Sequence, residues 1–264
     1  MPARVEEEIV GSLLRGLEVI GILSRSPEPM TLAEVARLAD TSRATARRLL
    51  LTLEREGYVV AEGPVFRLRP KVMELGDAYL AGLGLPRIAH PFLVDLSARV
   101  RDTCSMTVLD GADVVYADRV RANRMMTVSI AVGTRLPAFL MSSGRVLLAD
   151  LDEAEFAAYL EGVDPAALTG PTIRSAADIG AAVGAAKADG FAITDQELDP
   201  ALRSVAAPVR GPDGRAVAAV NVSTHVNRTS LEQLRTEVLP ELLASTRAIG
   251  EALVQDGASV TNEG

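Results

Sequence analysis

The chain has no tryptophan, one cysteine, two histidines and an aromatic content of only 3%. Each shortage excludes something. A lone cysteine, Cys104, rules out an internal disulfide and a multi-cysteine zinc site. His90 and His225 are far apart in sequence and make no metal-ligand spacing. No run approaches the roughly 20 apolar residues that a membrane span needs. The acidic N-terminus, MPARVEEEIVGSL, lacks a signal-peptide core, so a cytoplasmic location is expected. There is no Gly-rich phosphate loop, no GxSxG, no nucleophile–base pair and no carboxylate pair at a useful spacing. Asp195 and Glu197 would share a face of a strand, but the DQE triplet reads better as an ordered loop. No metal, no cofactor and no enzymatic activity are expected.

What the chain has is size and an uneven charge. Its 264 residues suffice for two domains, and 48% hydrophobic with 23% charged residues is a globular composition. The net charge is −8, yet residues 1–72 hold 11 Lys+Arg against 10 Asp+Glu, and the remainder holds 16 against 25. Between Arg37 and Lys71 there are 8 basic and 4 acidic residues. One basic patch on an acidic chain fits a single DNA-contacting face.

That patch lies in Thr31–Arg69, which reads as helix, tight turn, second helix and β-hairpin, a winged helix-turn-helix. Thr31 with Glu34 makes a capping box. Asp40-Thr41-Ser42 breaks the first helix, and Ser42 is a good N-cap for the next. In the second helix Ala46, Leu49, Leu50 and Leu53 form an apolar back. Arg43, Ala44, Thr45, Arg47 and Arg48 fall at its N-terminal end, where a recognition helix meets base edges and phosphates, and with the caps Thr31 and Ser42 they are the expected DNA contacts. Gly57 ends the helix, and Tyr58–Val60 and Val65–Leu68 flank the turn Glu62-Gly63-Pro64. Arg67 and Arg69 on that wing are expected to reach the DNA backbone. The bland alternative, a solvated arginine face on an ordinary helix pair, is disfavoured by the basic hairpin that follows.

Upstream, residues 1–11 read as a loose arm. Ser12–Ser24 reads as a helix packing inward through Leu13, Leu14, Leu17, Ile20 and Leu23. Lys71–Leu83 reads as a linker helix whose exposed apolar residues are suited to a second copy of the chain. Leu85–Arg101 is a further helix, and short strands follow at Cys104–Leu109, Val114–Arg119 and Met125–Val132. Gly133–Pro137 reads as a loop, and helices are expected at Ser143–Asp150, Asp152–Leu160 and Ser175–Ala188. Strands at Phe191–Thr194, Val205–Arg210 and Ala216–Ser223 precede a final helix, Ser230–Val254. The fold class is therefore α+β, with an antiparallel sheet flanked by helices. The expected domains are 1–70 (DNA-binding), 71–84 (linker), 85–255 (effector-binding) and 256–264 (disordered tail).

The segments SRATARRLLLTLEREGYV, FRLRPKVMELGDAYL, VLDGADVVYADRV, VGTRLPAFLMSSGRVLLA and DQELDPALRSVAAPV, in this order, resemble the IclR family of bacterial transcriptional regulators. The resemblance covers roughly residues 12–252 and is strongest to the branch of PcaR, PcaU and PobR, which governs aromatic-acid and β-ketoadipate catabolism. It implies a winged helix-turn-helix, a dimerising linker helix and a GAF-like C-terminal domain. It further implies a dimer or tetramer on palindromic double-stranded DNA, acting as activator or repressor. The implied effector is a small aromatic or dicarboxylic acid, such as protocatechuate, 4-hydroxybenzoate or β-ketoadipate. Carried over by motif, the effector pocket involves Ser142, Ser143, Gly144, Thr194, Ser204, Asn221 and Ser223. Small residues at a helix start and neighbouring strand hydroxyls suit a carboxylate. Either Arg124 or Arg203 is a candidate cation. The bland reading is that Ser142-Ser143 only cap a helix and that Asn221 and Ser223 face solvent. Met106, Met125, Met126 and Met141 read as core filling more than as a soft pocket wall, Cys104 as a core residue, and Arg119 and Arg121 as surface or interface charges more than as ligand clamps. The rival functions are an enzyme, or a sensor that binds no DNA, on the C-terminal domain. Turnover of candidate acids would reveal the former, and failure of residues 1–72 to bind any DNA would reveal the latter.

Overall fold

Helices packed on a small sheet make the first of two units. The computed structural model describes residues 9–76, 84–122, 130–163, 165 and 169–260, and contacts divide the chain into Met1–Gly82 and Leu83–Gly264. Helix α1 (Gly11–Arg25) leads through strand β1 (Met30–Thr31) into α2 (Leu32–Leu38) and α3 (Arg43–Arg55). Strands β2 (Val59–Glu62) and β3 (Val65–Leu68) form the wing. Between α2 and α3 the chain turns through Asp40 at φ +42°, a left-handed conformation that short polar side chains tolerate. Gly57, at φ +80°, ends α3, with the Tyr58 N–H donating to the Leu53 carbonyl at 2.8 Å. The core joins Val19, Ile22 and Leu23 of α1 to Met30, Val35, Ala39, Leu50 and Val59.

Two expectations for this unit are corrected. Strand β1 was not anticipated: Met30 and Thr31 pair with Phe66 and Val65, so the sheet has three strands in the order β1-β3-β2. The inward face of α1 is also shifted. Val19, Ile22 and Leu23 are buried, while Leu13, Leu14 and Leu17 are 61%, 55% and 53% exposed. Leu13 and Leu17 line an open groove with Thr45, Leu49, Leu53 and Tyr58 instead of entering the core. Beyond the short 3₁₀ turn Pro70–Val72, the chain is helical through residue 76. The remainder of the expected linker helix, residues 77–83, lies outside the described residues.

The second unit is a six-stranded sheet in the order β6-β5-β4-β9-β8-β7, antiparallel at every pairing. Helix α4 (Leu85–Val100) precedes β4 (Thr103–Asp110), β5 (Asp113–Val120) and β6 (Arg135–Pro137). Helices α5 (Ser142–Leu148), α6 (Glu153–Gly162) and α7 (Ala176–Asp189) follow, then β7 (Ala192–Asp195), β8 (Leu202–Arg210) and β9 (Ala216–His225). A helical turn, α8 (Leu231–Gln233), runs through a π-type turn at Leu234–Val238 into α9 (Leu239–Val260). Because side chains alternate across a strand, the sheet serves two layers. α5 and α7 cover the face carrying Tyr116, Ala192, Ala206 and Ala219. α4 and α9 pack against the other face, which carries Cys104, Met106, Val205, Val220 and Val222.

Three more expectations change here. Of the expected strand Met125–Val132, residues 123–129 lie outside the described residues, and Ile130–Val132 are not strand. Instead Arg135–Pro137, expected as loop, forms edge strand β6, with Leu136 opposite Val114; Pro137 ends it where no ladder donor is required. The last helix runs to Val260 rather than stopping at Val254, so the tail expected from residue 256 begins as helix. Asp256 is held there by the Arg87 guanidinium, which donates to both carboxylate oxygens at 3.2 Å. Residues 261–264 lie outside the described residues. No helix among the described residues is long and apolar enough to cross a membrane.

Candidate functional site

Two surfaces carry the candidate residues. On the first unit, α3 buries Ala46 and Leu50 and exposes Arg43, Ala44, Arg47 and Arg48. Ser42 caps the helix by accepting the Thr45 N–H at 3.1 Å, and the two hydroxyls meet at 3.0 Å. Thr31 is engaged in its capping box: its hydroxyl donates to Glu34 Oε2 at 2.7 Å and its backbone N–H donates to the same oxygen at 2.7 Å. On the wing, Arg67 is held across the hairpin by Glu62, Nε donating to Oε1 at 2.7 Å. Glu62 is thereby kept below the usual carboxylate range by its hydrogen bond to Arg67. Arg69 is exposed and has no carboxylate partner among the described residues.

On the second unit, most of the expected pocket residues share one sheet face. Strand register puts Thr194 opposite Ser204, Ser204 opposite Ser223, and Ser223 opposite Thr103. The next row places Asn221 opposite Ser105 and Ala206. The first turn of α5 descends on these rows, and the hydroxyls of Ser142 and Ser204 meet at 2.9 Å. Asn221 Nδ2 donates to Ser204 Oγ at 3.3 Å and Ser223 Oγ at 2.9 Å. Asn221 is 1% exposed and Ser143 fully buried, so neither the solvent-facing reading of Asn221 nor the simple capping reading holds. Neither serine makes a side-chain cap on α5. Gly144 is required by contact: a Cβ there would lie 2.0 Å from the Ala138 carbonyl oxygen. Arg203 is a correction. It points to the opposite face from Ser204, donates to Asp195 at 2.7 and 3.1 Å and to the Thr229 carbonyl at 2.8 Å, and is not free for a ligand. Arg124, Met125 and Met126 lie outside the described residues. Met106 and Met141 are both buried but belong to opposite sheet faces, so they do not form one wall. Cys104 is a core residue whose thiol is pushed up to about 12 by burial.

Sequence reasoning missed a buried ion pair that braces this region. Arg145 of α5 grips Glu197 with two hydrogen bonds, at 2.9 and 2.5 Å, and donates from Nε to the Phe139 carbonyl at 2.9 Å. The DQE triplet is thus divided: Asp195 pairs with Arg203, and Glu197 with Arg145. Fifty-two positions separate Arg145 from Glu197, beyond any local signal. The described residues contain no group of three or more His, Cys, Asp or Glu able to hold a metal ion.

A family model described as the IclR helix-turn-helix domain matches residues 12–63, and one described as Bacterial transcriptional regulator IclR C-terminal matches residues 77–251. The Pca regulon regulatory protein of Pseudomonas putida is 37% identical over 243 residues, 92% of this chain and 84% of that protein. The crystal structure of a transcriptional regulator from Rhodococcus sp. RHA1 is 49% identical, with TM-score 0.82, covering 93% of this chain and 98% of that one. A Microbacterium hydrocarbonoxydans IclR homolog, solved in complex with 4-hydroxybenzoate, shares the fold at TM-score 0.79 and 21% identity, covering 92% of this chain and 98% of that one.

Proposed function

The chain belongs to the IclR family of bacterial transcriptional regulators, and from that premise we propose that it switches a catabolic operon in response to a small organic acid. The observation that carries this is the buried row of hydroxyl and amide groups beneath α5, whose donors and acceptors suit a polar ligand and which contains no nucleophile–base pair among the described residues. The effector class is a small aromatic or dicarboxylic acid such as protocatechuate, 4-hydroxybenzoate or β-ketoadipate. Similarity to the Pca regulon regulatory protein supports that class. So does the 4-hydroxybenzoate bound by the Microbacterium homolog.

DNA contact is assigned to the exposed front of α3, with Arg47 and Arg48 as principal contacts, Arg43 and Thr45 beside the N-cap, and Arg69 on the wing. Arg67 contributes less, because Glu62 already neutralises it. Two copies then place two recognition helices on the half-sites of a palindromic operator; a tetramer would occupy two such operators.

The test is a footprint on the chain's own upstream region together with calorimetric titration of the three acids. Arg47→Ala and Arg48→Ala should remove protection while circular dichroism stays unchanged, and wild-type affinity should fall steeply with salt. A footprint that survives both substitutions places the DNA-reading surface elsewhere. Ser204→Ala and Asn221→Ala should each weaken acid binding and leave the footprint intact.

A further inference from the structure

Among the described residues, Arg145, Arg203 and Arg119 of the second unit are partly or fully buried near its sheet. Arg145 faces Glu197 and Arg203 faces Asp195. Arg119, on β5, has no carboxylate partner among the described residues, and its Nε is buried without a hydrogen bond. The adjacent Asp118 turns to the other face and meets His90 Nδ1 at 2.8 Å. The Arg119 guanidinium lies 6.0 Å from the Tyr116 ring centroid. Burial lowers its pKa, which is how a cation partly removed from water responds.

Strand register places Arg119 opposite Ser105, whose neighbour on the other side is Asn221. Arg119 therefore stands on the polar face already described, at the end of the row opposite Ala206. Three further buried side-chain atoms on this side of the sheet also lack partners: Thr107 Oγ1, Ser143 Oγ and Asn221 Oδ1. Thr107 and Ser143 are fully buried, and Asn221 is 1% exposed. The chemistry of these orphans is complementary. The guanidinium and two hydroxyls are donors. Asn221 Oδ1 is an acceptor, because Nδ2 already donates to Ser204 and Ser223. A ligand carrying a carboxylate at one end and a hydroxyl at the other would satisfy all of them.

We propose that Arg119 receives the carboxylate of a hydroxy-acid effector, with Thr107 and Ser143 as neighbouring donors and Asn221 Oδ1 accepting the ligand hydroxyl. This rests on the effector-pocket reading above, adds to it the cation, and narrows the effector to an acid that also carries a hydroxyl.

The experiment titrates the full-length chain with 4-hydroxybenzoate, its neutral analogue 4-hydroxybenzamide, and benzoate, by calorimetry and thermal melting. Wild type should bind 4-hydroxybenzoate most tightly. The amide and Arg119→Gln should each lose roughly 10- to 100-fold, the worth of a charge-assisted bond, and Arg119→Lys should recover part of it. Without ligand, Arg119→Gln should melt no lower than wild type, because it removes an uncompensated cation. Four results overturn the proposal: equal binding of acid and amide, unchanged affinity in Arg119→Gln, a ligand-free Arg119→Gln that melts several degrees lower, or no response to any of the three compounds. If Asn221→Ala weakens acid binding and Arg119→Gln does not, the pocket stands and only the role of Arg119 fails. If neither variant matters, the pocket reading fails with it, while the footprint judges DNA binding separately.

Discussion

Gly144 shows how little freedom single positions have around the polar row. The first turn of α5 lies directly on the Ala138 backbone, and a methyl at position 144 would overlap the carbonyl oxygen, its carbon and the Cα, all within 2.6 Å. No rotamer relieves a clash with backbone, so the turn itself must lift. Gly144→Ala should therefore cost at least ~1–3 kcal/mol of unfolding free energy in a urea melt. It should also weaken acid binding, because the same shift separates Ser142 from Ser204. A variant with wild-type stability would mean that α5 sits more loosely than this packing implies. At this scale the sequence was only partly readable. Ser204 and Asn221 could be named by motif, but whether Arg203, one residue away, faces the same way could not be read, and the structure turns it to the opposite face. The alternation that separates them was available in the LRSV string, and what was missing was the phase. That phase is set by register with β7, where Asp195 lies opposite Arg203.

At the scale of elements, the turn signals were the dependable ones. The capping box of α2 is present as expected, and it has a consequence for acid stability. Glu34 is held below its ordinary value of 4.5 by the Thr31 backbone N–H, then by the Thr31 hydroxyl. A lowered folded-state pKa makes this contribution complete above the ordinary glutamate range and lost as pH falls through the lowered value. The stability difference between wild type and Glu34→Gln should thus be largest at neutral pH and vanish in acid, measured by denaturant melts from pH 7 to pH 3. A difference independent of pH would show that the carboxylate charge is irrelevant to the cap. Elements lacking such local chemistry were missed. Strand β1 is two residues long and exists only because β3 lies beside it. Strand β6 sits in a Gly-Thr-Arg-Leu-Pro string whose composition favours a loop, and pairing with β5 overrides that preference. The C-terminal end of α9 has a Gly and a polar run that resemble a tail, yet Arg87 tethers Asp256 from α4.

At the scale of the whole molecule, the exposed leucines of α1 are the feature least at ease in a lone chain. Leu13, Leu14 and Leu17 form an apolar stripe that the first unit leaves uncovered, and Leu75 and Met73 are exposed to a similar degree at 54% and 63%. The pairing of two copies proposed above for a palindromic operator would give this stripe a cover. Replacing both Leu13 and Leu17 by Glu should leave the monomer folded, shift sedimentation toward smaller species, and weaken operator binding far more than effector binding. Unchanged sedimentation would remove α1 from any interface. The charge distribution suits the same division of labour, since residues 1–72 carry 11 basic and 10 acidic residues while the remainder carries 16 and 25.

The two-sided sheet of the second unit also bears on how such a protein changes over generations. On β4, β8 and β9, one set of alternate residues (Cys104, Met106, Val205, Val220, Val222) fills the layer under α4 and α9. The interleaved set (Ser105, Thr107, Ser204, Asn221) lines the polar row. If the row holds the effector as proposed, a lineage drifting toward a new inducer can rewrite every second letter of these strands and leave the letters of the other layer untouched. Ligand preference and foldability are written on the same segments, yet they can be inherited almost independently.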